Sequence, residues 1–234
     1  MKKAASARSG LTKLTARVFA PMYADFDKQM SAALLRRDAF LDQVIAGEMQ
    51  HVREDLAGKR QSNEAHRYVA GLLKSLGGKA APPLKQVSIA ARHPTAEALR
   101  AVADDHNIVR DSLLNWIVVL LRSHDSVLDD LDLPKRVSWG RRDGTQDMPT
   151  SPLKAIEETQ HDPFYYLRAA SHERHGTGLY AMDLPKRFWP FACHLDDEWV
   201  PGTEAFIQRE ADWRLLSGDL EEPAKLLRKG SRHA

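Results

Sequence analysis

The chain of 234 residues contains a single cysteine, Cys193. One thiol allows no disulfide within the chain and no zinc site built from several cysteines, which favours a reducing setting. Long apolar runs are missing too: the longest, residues 116–121, is far shorter than the roughly 20 residues that cross a bilayer. The basic start of the chain lacks the apolar segment of a signal peptide. We therefore expect a cytoplasmic globular protein without a membrane partner.

Common catalytic motifs are also missing. The sequence contains no nucleophile elbow, no Walker loop and no dinucleotide fingerprint. Four histidines, His161, His172, His175 and His194, leave open a less favoured alternative, a histidine-dependent nuclease or toxin. Two metal-binding histidines on one helix usually stand four residues apart, whereas His172 and His175 are three apart. We expect no enzymatic activity, no cofactor and no bound metal.

Acidic residues are scarce at the front of the chain. Residues 1–20 hold five Lys or Arg and no Asp or Glu, and residues 1–90 hold 15 basic against 8 acidic residues. The balance reverses over residues 91–222, with 15 basic against 24 acidic, and residues 223–234 are again basic, with four against none. Such asymmetry indicates a surface that faces a polyanion, although a solubilising arm would also explain the basic start.

The chain does contain an internal repeat: one small unit occurs twice, at an offset of 73 residues. Each copy consists of an alternating segment, a proline, a short amphipathic helix, an Arg-Asp pair and a second helix. The aligned pairs are Leu14 with Val87, Ala16 with Ile89, Val18 with Ala91, Pro21 with Pro94, Phe26 with Leu99, Leu35 with Ile108, Arg37-Asp38 with Arg110-Asp111, Phe40-Leu41 with Leu113-Leu114, and Val44-Ile45 with Ile117-Val118. Because one such unit cannot bury its apolar face alone, two copies suggest an intramolecular pair, and the sequence leaves open an exchange of units between two chains.

The alternating segments predict two β-strands, over about 12–20 and 84–92, because apolar and polar residues alternate with period two. Pro21 ends the first strand, since proline cannot donate into a β-ladder. The residues expected to point inward are apolar: Leu14, Ala16, Val18, Val87, Ile89 and Ala91. The residues expected to point outward are mostly polar: Lys13, Thr15, Arg17, Gln86, Ser88 and Ala90.

Outside the strands, the sequence predicts helices and irregular chain. Beyond the helices of the two units, helices are expected over 62–76, 153–160, 163–173 and 203–216, with an irregular loop over 135–152. The second helix of the second copy, about 109–123, is apolar around most of its circumference and is expected to be buried. The aromatic residues between 164 and 199 are expected to lie in a core, or else to form a partner-binding surface.

The expected organisation has six parts. They are a basic disordered arm (1–11), the first unit (12–56), a helical insert and linker (57–83), the second unit (84–125), a C-terminal assembly or partner-binding region (126–222) and a basic tail (223–234). The fold class expected is mainly α with a short two-stranded β-ribbon.

The order of strand, short helix, tight turn and longer helix resembles the ribbon-helix-helix family of DNA-binding proteins, the MetJ/Arc type, here as two copies in tandem. The resemblance covers roughly a third of the chain. It implies that the strands pair antiparallel into a ribbon that enters the major groove of DNA. It also implies that the start of each second helix holds a phosphate.

The resemblance and the basic charge together give two sets of site residues. Those expected to read bases are Lys13, Thr15, Arg17, Gln86 and Ser88. Those expected to contact phosphates are Lys2, Lys3, Arg8, Arg36, Arg37, Lys85 and Arg110. Because the outward residues of the two strands differ, the DNA site is expected to be non-palindromic.

The expected function is therefore sequence-specific binding of double-stranded DNA, without catalysis. The protein would act as a transcriptional repressor, an antitoxin-type regulator or an accessory factor of a mobile element, and would lie on the nucleoid when bound. The C-terminal region would bind a protein partner or mediate self-association. A different class also stays open: an interaction scaffold that uses its two units only for assembly.

Overall fold

A computed structural model describes residues 10–76, 84–122, 125–133 and 162–217. Several expectations lie outside these ranges. They concern most of the basic arm with Lys2, Lys3 and Arg8, the end of the linker, the loop over 135–152, the helix over 153–160, His161 and the basic tail.

The two sequence units have the same order of elements. The first consists of β1 (Leu11–Phe19), α1 (Ala20–Ala32) and α2 (Arg37–Asp55). The insert contributes α3 (Asn63–Ser75). The second unit consists of β2 (Leu84–Arg92), α4 (His93–Asp105) and α5 (Arg110–Leu121). In each unit a proline occupies the first turn of the first helix, where its missing N–H leaves no hydrogen bond unmade.

The rest of the described chain consists of short helices. They are α6 (Asp125–Asp130), α7 (Tyr165–His175), two 3-10 helices (Lys186–Phe191 and Asp197–Trp199) and α8 (Glu204–Ser217). The positions of α3, α7 and α8 agree with the predicted helices, whereas α6 and the 3-10 helices were not predicted. The described part of the chain is mainly helical with one two-stranded antiparallel sheet, as the sequence predicts.

Strands β1 and β2 pair antiparallel, with Thr15 opposite Ser88 at the centre, Leu11 opposite Arg92 and Phe19 opposite Leu84 at the ends. The predicted inward residues are all buried: Leu14, Ala16, Val18, Val87, Ile89 and Ala91. The period-two prediction is therefore confirmed for both strands. We call this pair of strands the ribbon.

The turns that join the two helices of each unit have the same backbone. Leu34 and Asn107, 73 residues apart, both lie in the left-handed region, with φ of 58° and 55°. In each turn the next residue donates its N–H back into the preceding helix, from Leu35 to the Met30 carbonyl (2.9 Å) and from Ile108 to the Ala103 carbonyl (2.8 Å). Asparagine tolerates this conformation better than leucine, which is more strained there.

The two units interleave instead of folding side by side. Helix α2 of the first unit packs against β2 and α4 of the second, and α5 of the second unit packs against β1 of the first. In this structure the two units pair within one chain, a point that the repeat by itself left open.

Buried C-terminal residues between Phe164 and Cys193 pack into the same hydrophobic core as the units, whereas Leu195 and Val200 pack against α3 in a smaller cluster. Trp116 of α5 packs its ring against Phe188 at 6.2 Å and donates its indole N–H to the Leu179 carbonyl (3.1 Å). Phe191 packs against Phe19 at the end of β1 (6.5 Å). Because these C-terminal residues cover α5, that helix is buried around its circumference, as predicted. The same contacts place the aromatic segment mainly in the core.

Candidate nucleic-acid interface

The ribbon has one side turned away from the core, which we call the outer face. Its residues are Leu11, Lys13, Thr15, Arg17, Gln86, Ser88, Ala90 and Arg92. Lys13, Arg17 and Gln86 are exposed, while Thr15 and Ser88 at the centre are half-buried. Across the ribbon, Arg17 lies opposite Gln86 and Thr15 opposite Ser88. The five predicted base-reading residues therefore lie on one surface.

Arg92 is an outer-face residue that the sequence analysis did not select. It ends β2, is exposed, and donates from Nε to the carboxylate of Asp42 on α2 at 2.5 Å. Its position two residues beyond Ala90 continues the outward alternation, so the period alone could have identified it. Lys85 has the opposite phase but is exposed at the start of β2. Neither strand contains Asp or Glu, so every charged side chain that the strands contribute to the outer face is positive.

The edge of β1 is closed by side chains of α5. The Arg17 N–H donates to Asp111 Oδ2 (3.2 Å), and the Phe19 N–H donates to Asn115 Oδ1 (2.8 Å). Asn115 Nδ2 in turn donates to the Arg17 carbonyl (2.9 Å). These bonds satisfy backbone groups that an edge strand otherwise leaves open to another strand.

The edge of β2 is closed in the same way by α2. The Ala90 N–H donates to Asp38 Oδ2 (3.0 Å), and the Arg92 N–H donates to Asp42 Oδ1 (2.8 Å). Asp38 and Asp42 stand 73 residues before Asp111 and Asn115, so each second helix closes the strand of the other unit. In the sequence, the feature that marks this closure of the edges is the polar residue four positions after the aspartate of each Arg-Asp pair, Asp42 and Asn115. With its edges closed, the ribbon offers a partner its outer side chains.

Replacing Asn115 with alanine should lower the free energy of unfolding by about 1–3 kcal/mol, because polar backbone groups at the end of β1 lose their partners. Urea denaturation followed by circular dichroism measures this change. Gln50→Ala is a suitable control, since Gln50 hydrogen-bonds only to Glu54 on an exposed helix surface, and should change stability by less than about 0.5 kcal/mol. Equal stabilities of the two variants would contradict the role of Asn115.

Arg37, a predicted phosphate contact, is held between α1 and α2. Its guanidinium pairs with Asp27 (3.1 Å) and Asp38 (2.8 Å) and lies over the Tyr23 ring at 5.6 Å. Burial acts to lower the pKa of Arg37, but the hydrogen bond with Asp38 and the nearby charges leave that pKa above its ordinary value. This arginine therefore joins the two helices, while its neighbour Arg36 is exposed at the start of α2.

Arg110, the equivalent residue in the second unit, also has partners within the protein. Its guanidinium donates to the Thr15 carbonyl (2.8 Å) and to Asp111 Oδ1 (3.2 Å). It remains partly exposed beside the ribbon. Arg110 thus anchors α5 to β1 and keeps a positive charge at that edge.

The flanks of the outer face differ. The turn of the second unit is covered by the start of α3 and the segment before it: Asn107 Nδ2 donates to the Gln61 carbonyl (2.9 Å), and His66 Nδ1 of α3 lies 2.8 Å from the Asn107 carbonyl. The equivalent turn of the first unit is open, with 93% of Leu34 exposed. The interface is therefore asymmetric in its flanks as well as in its strands.

Two of the candidate histidines and the cysteine have surroundings typical of structural residues. His175 Nε2 lies 3.0 Å from the Leu131 carbonyl, and His194 Nε2 lies 3.0 Å from Asp196 Oδ1. Burial raises the pKa of the Cys193 thiol well above its usual range, which keeps it protonated. Within the described ranges, no three His, Cys, Asp or Glu side chains are placed to hold a metal ion.

No family model, no curated protein and no solved structure matches this chain. None of the helices in the described part is long and apolar enough to cross a membrane. The interface is therefore interpreted from its own geometry and chemistry.

Proposed function

We propose that this chain binds double-stranded DNA sequence-specifically, with the ribbon in the major groove, as a tandem ribbon-helix-helix protein. The observation that carries the proposal is the outer face. It presents exposed Lys13, Arg17 and Gln86 on a ribbon whose inner face is buried and whose edges are closed. The major groove of B-DNA is wide enough to admit a two-stranded ribbon.

The outer-face side chains have the chemistry that base reading requires. Arg and Lys donate to the O6 and N7 acceptors of guanine, Gln pairs with adenine, and Thr or Ser reaches several base edges. Arg17 and Gln86 are direct neighbours across the ribbon, so they would address adjacent bases. Thr15 and Ser88 occupy the centre, where the ribbon would lie deepest.

The two halves of the site should differ in sequence. Positions related by the 73-residue shift carry Lys13 and Gln86 in one case and Arg17 and Ala90 in the other. Since these side chains prefer different bases, the bound DNA should be non-palindromic.

Phosphate contacts would hold the ribbon in register without reading sequence. Arg36, Lys85 and the exposed part of Arg110 lie at the flanks, and the basic residues Lys2, Lys3 and Arg8 precede β1 in the chain. Arg37 is a weaker candidate because its guanidinium already pairs with two carboxylates. The mechanism is groove reading with charge neutralisation, suited to a repressor, an antitoxin-type regulator or a mobile-element accessory factor.

Replacing Arg17 with alanine should weaken binding to a selected DNA site by about 1–3 kcal/mol and relax the preference at one base position. Selection of bound DNA from a random library supplies the site, and fluorescence anisotropy at fixed salt measures the affinities. The library also tests the expected asymmetry. Arg100→Ala is the matched control, because Arg100 is an exposed arginine on α4, whose buried residues face the core.

Two results would overturn the proposal. One is a selection that enriches no sequence, with no binding to random duplex at low salt. The other is an affinity that Arg17→Ala and Arg100→Ala reduce equally, since the effect would then be one of net charge and not of base reading.

A further inference from the structure

Arg92, at the end of β2, is held by a buried carboxylate. Asp42 of α2 accepts the Arg92 backbone N–H at Oδ1 (2.8 Å) and the Arg92 Nε at Oδ2 (2.5 Å). The Asp42 side chain is only 9% exposed, whereas that of Arg92 is 60% exposed. Within the described ranges, the two Nη groups of Arg92 donate to no residue, while those of Arg37 both pair with carboxylates. The Arg92 guanidinium is therefore fixed at Nε and keeps both Nη groups for a partner outside the chain.

The other unit shows that closing the ribbon edge does not require a carboxylate. Asn115 and Phe19 are related to Asp42 and Arg92 by the 73-residue shift, and Asn115 Oδ1 accepts the Phe19 N–H at the same distance, 2.8 Å. A neutral amide thus closes an edge as well as a carboxylate does. Asn115 Nδ2 then donates to the Arg17 carbonyl, whereas the second oxygen of Asp42 accepts from the Arg92 side chain. The charge of Asp42 therefore serves the guanidinium and not the edge.

The two ends of the ribbon differ in what covers them. At one end Phe19 lies opposite Leu84, both pack against the core, and the Phe19 ring lies 6.5 Å from that of Phe191. At the other end Arg92 lies opposite Leu11, and both residues are exposed. A partner that contacts the outer face can therefore reach the Arg92 end.

We infer that Arg92 reads a guanine toward one end of the DNA site and that Asp42 is its positioning residue, an inference that rests on the proposed binding of DNA in the major groove. The two Nη donors of an arginine match the O6 and N7 acceptors of guanine, which is the commonest specific contact in that groove. Arg92 has the same outward phase as Ser88 and lies about 13 Å further along the strand, at about 3.3 Å per residue.

Two further features of the ribbon support this role. Arg17 lies on the opposite side of the centre from Arg92, so the two arginines would address different halves of the site. A guanidinium that is already held in the free protein also loses less conformational entropy when it contacts a base. Asp42 thus pre-orients the donor before DNA arrives.

Replacing Arg92 with alanine tests the base contact. Selection from a random duplex library is carried out with the wild-type chain and with the variant, and fluorescence anisotropy at fixed salt gives affinities for the wild-type site. Arg92→Ala should abolish a guanine preference toward one end of the site, keep the other preferences, and bind the site at least about fivefold more weakly. Arg100→Ala, which removes an exposed arginine of α4, should keep every preference.

Replacing Asp42 with asparagine tests the positioning. The variant places in the first unit the residue type that already closes the edge in the second, so circular dichroism should show an unchanged fold. Removing a negative charge would by itself strengthen binding to any duplex. A positioning role predicts the opposite, a loss of at least about twofold for the selected site. In the Arg92→Ala background, Asp42→Asn should cause no further loss, because the residue that it orients is missing.

Three results would overturn the inference while leaving DNA binding in place. The first is an Arg92→Ala chain that keeps the guanine preference. The second is an equal loss for all sequences with a salt slope reduced by about 1, which marks a phosphate contact. The third is an Asp42→Asn chain that binds the selected site no more weakly than the wild type. A wild-type chain that enriches no sequence would instead overturn the proposed function, and this inference with it.

Discussion

Replacing Trp116 with alanine is expected to lower the free energy of unfolding by about 3–5 kcal/mol. Trp116 is 1% exposed, packs on Phe188 and donates to the Leu179 carbonyl. The substitution would leave a cavity at the junction of α5 with the C-terminal residues and would leave that carbonyl without its partner. Both losses act at one point of the core.

Urea denaturation followed by near- and far-ultraviolet circular dichroism measures the effect of Trp116→Ala. The matched control is Trp213→Ala, which removes an exposed indole and should change stability by less than about 0.5 kcal/mol. Because residues between Phe164 and Cys193 share a core with the units, both spectral regions should report one transition. Two separate transitions, with only the second shifted by Trp116→Ala, would show that the C-terminal residues unfold independently.

Replacing Arg168 with alanine is expected to lower the free energy of unfolding by about 3–5 kcal/mol, because a buried carboxylate would lose its counter-charge. Arg168 of α7 contacts Glu48 of α2 (3.2 Å) and Asp162 (2.6 Å). The Glu48 side chain is only 3% exposed and also accepts from the Tyr180 hydroxyl (2.6 Å). Burial and the Glu48 charge hold the pKa of Tyr180 well above its usual range, so the tyrosine stays a donor.

The double variant Glu48→Gln with Arg168→Met distinguishes a buried charge from lost packing. It removes both charges and should recover more than half of the loss, whereas a pure packing defect would persist. Arg67→Ala is the control for an exposed pair, since Arg67 contacts Glu64 at the surface (2.6 Å) and should cost no more than about 1 kcal/mol. Chemical denaturation of the four proteins gives the comparison, and equal losses for Arg168→Ala and Arg67→Ala would contradict the argument.

The strands and their faces were predictable because a period of two is a local property. Lys13, Thr15 and Arg17 alternate with residues that are all buried, and the second strand repeats the pattern 73 residues later. The same repeat placed Leu34 and Asn107 at equivalent turns. Their left-handed conformation was not predicted, because neither residue type indicates it as strongly as glycine does. Patterning therefore predicted the ribbon and the helices that follow it.

The partners of the polar side chains were not predictable, because they come from distant segments. Asp38 and Asp111 each follow an arginine at the start of a helix, a position typical of local capping or ion pairing. In the structure each carboxylate instead accepts a hydrogen bond from a strand N–H group of the other unit. Arg37, an expected phosphate contact, pairs with carboxylates on two helices, a role that the sequence did not predict. Only the interleaving of the units brings Asp38 and Asp111 to the strand N–H groups.

By itself the sequence determined the repeat, the two half-buried strands, the buried α5 and the positive charge of the outer face, because alternation, helical period and charge are fixed by residue order. The tertiary structure decided how the units interleave, which carboxylates close the ribbon edges, and that the C-terminal aromatics complete the same core. It also decided that Trp213 remains exposed on α8. The reason is physical: burial and hydrogen-bond partners depend on contacts between residues far apart in the chain, such as Tyr180 and Glu48 at a separation of 132 positions, which no local pattern encodes.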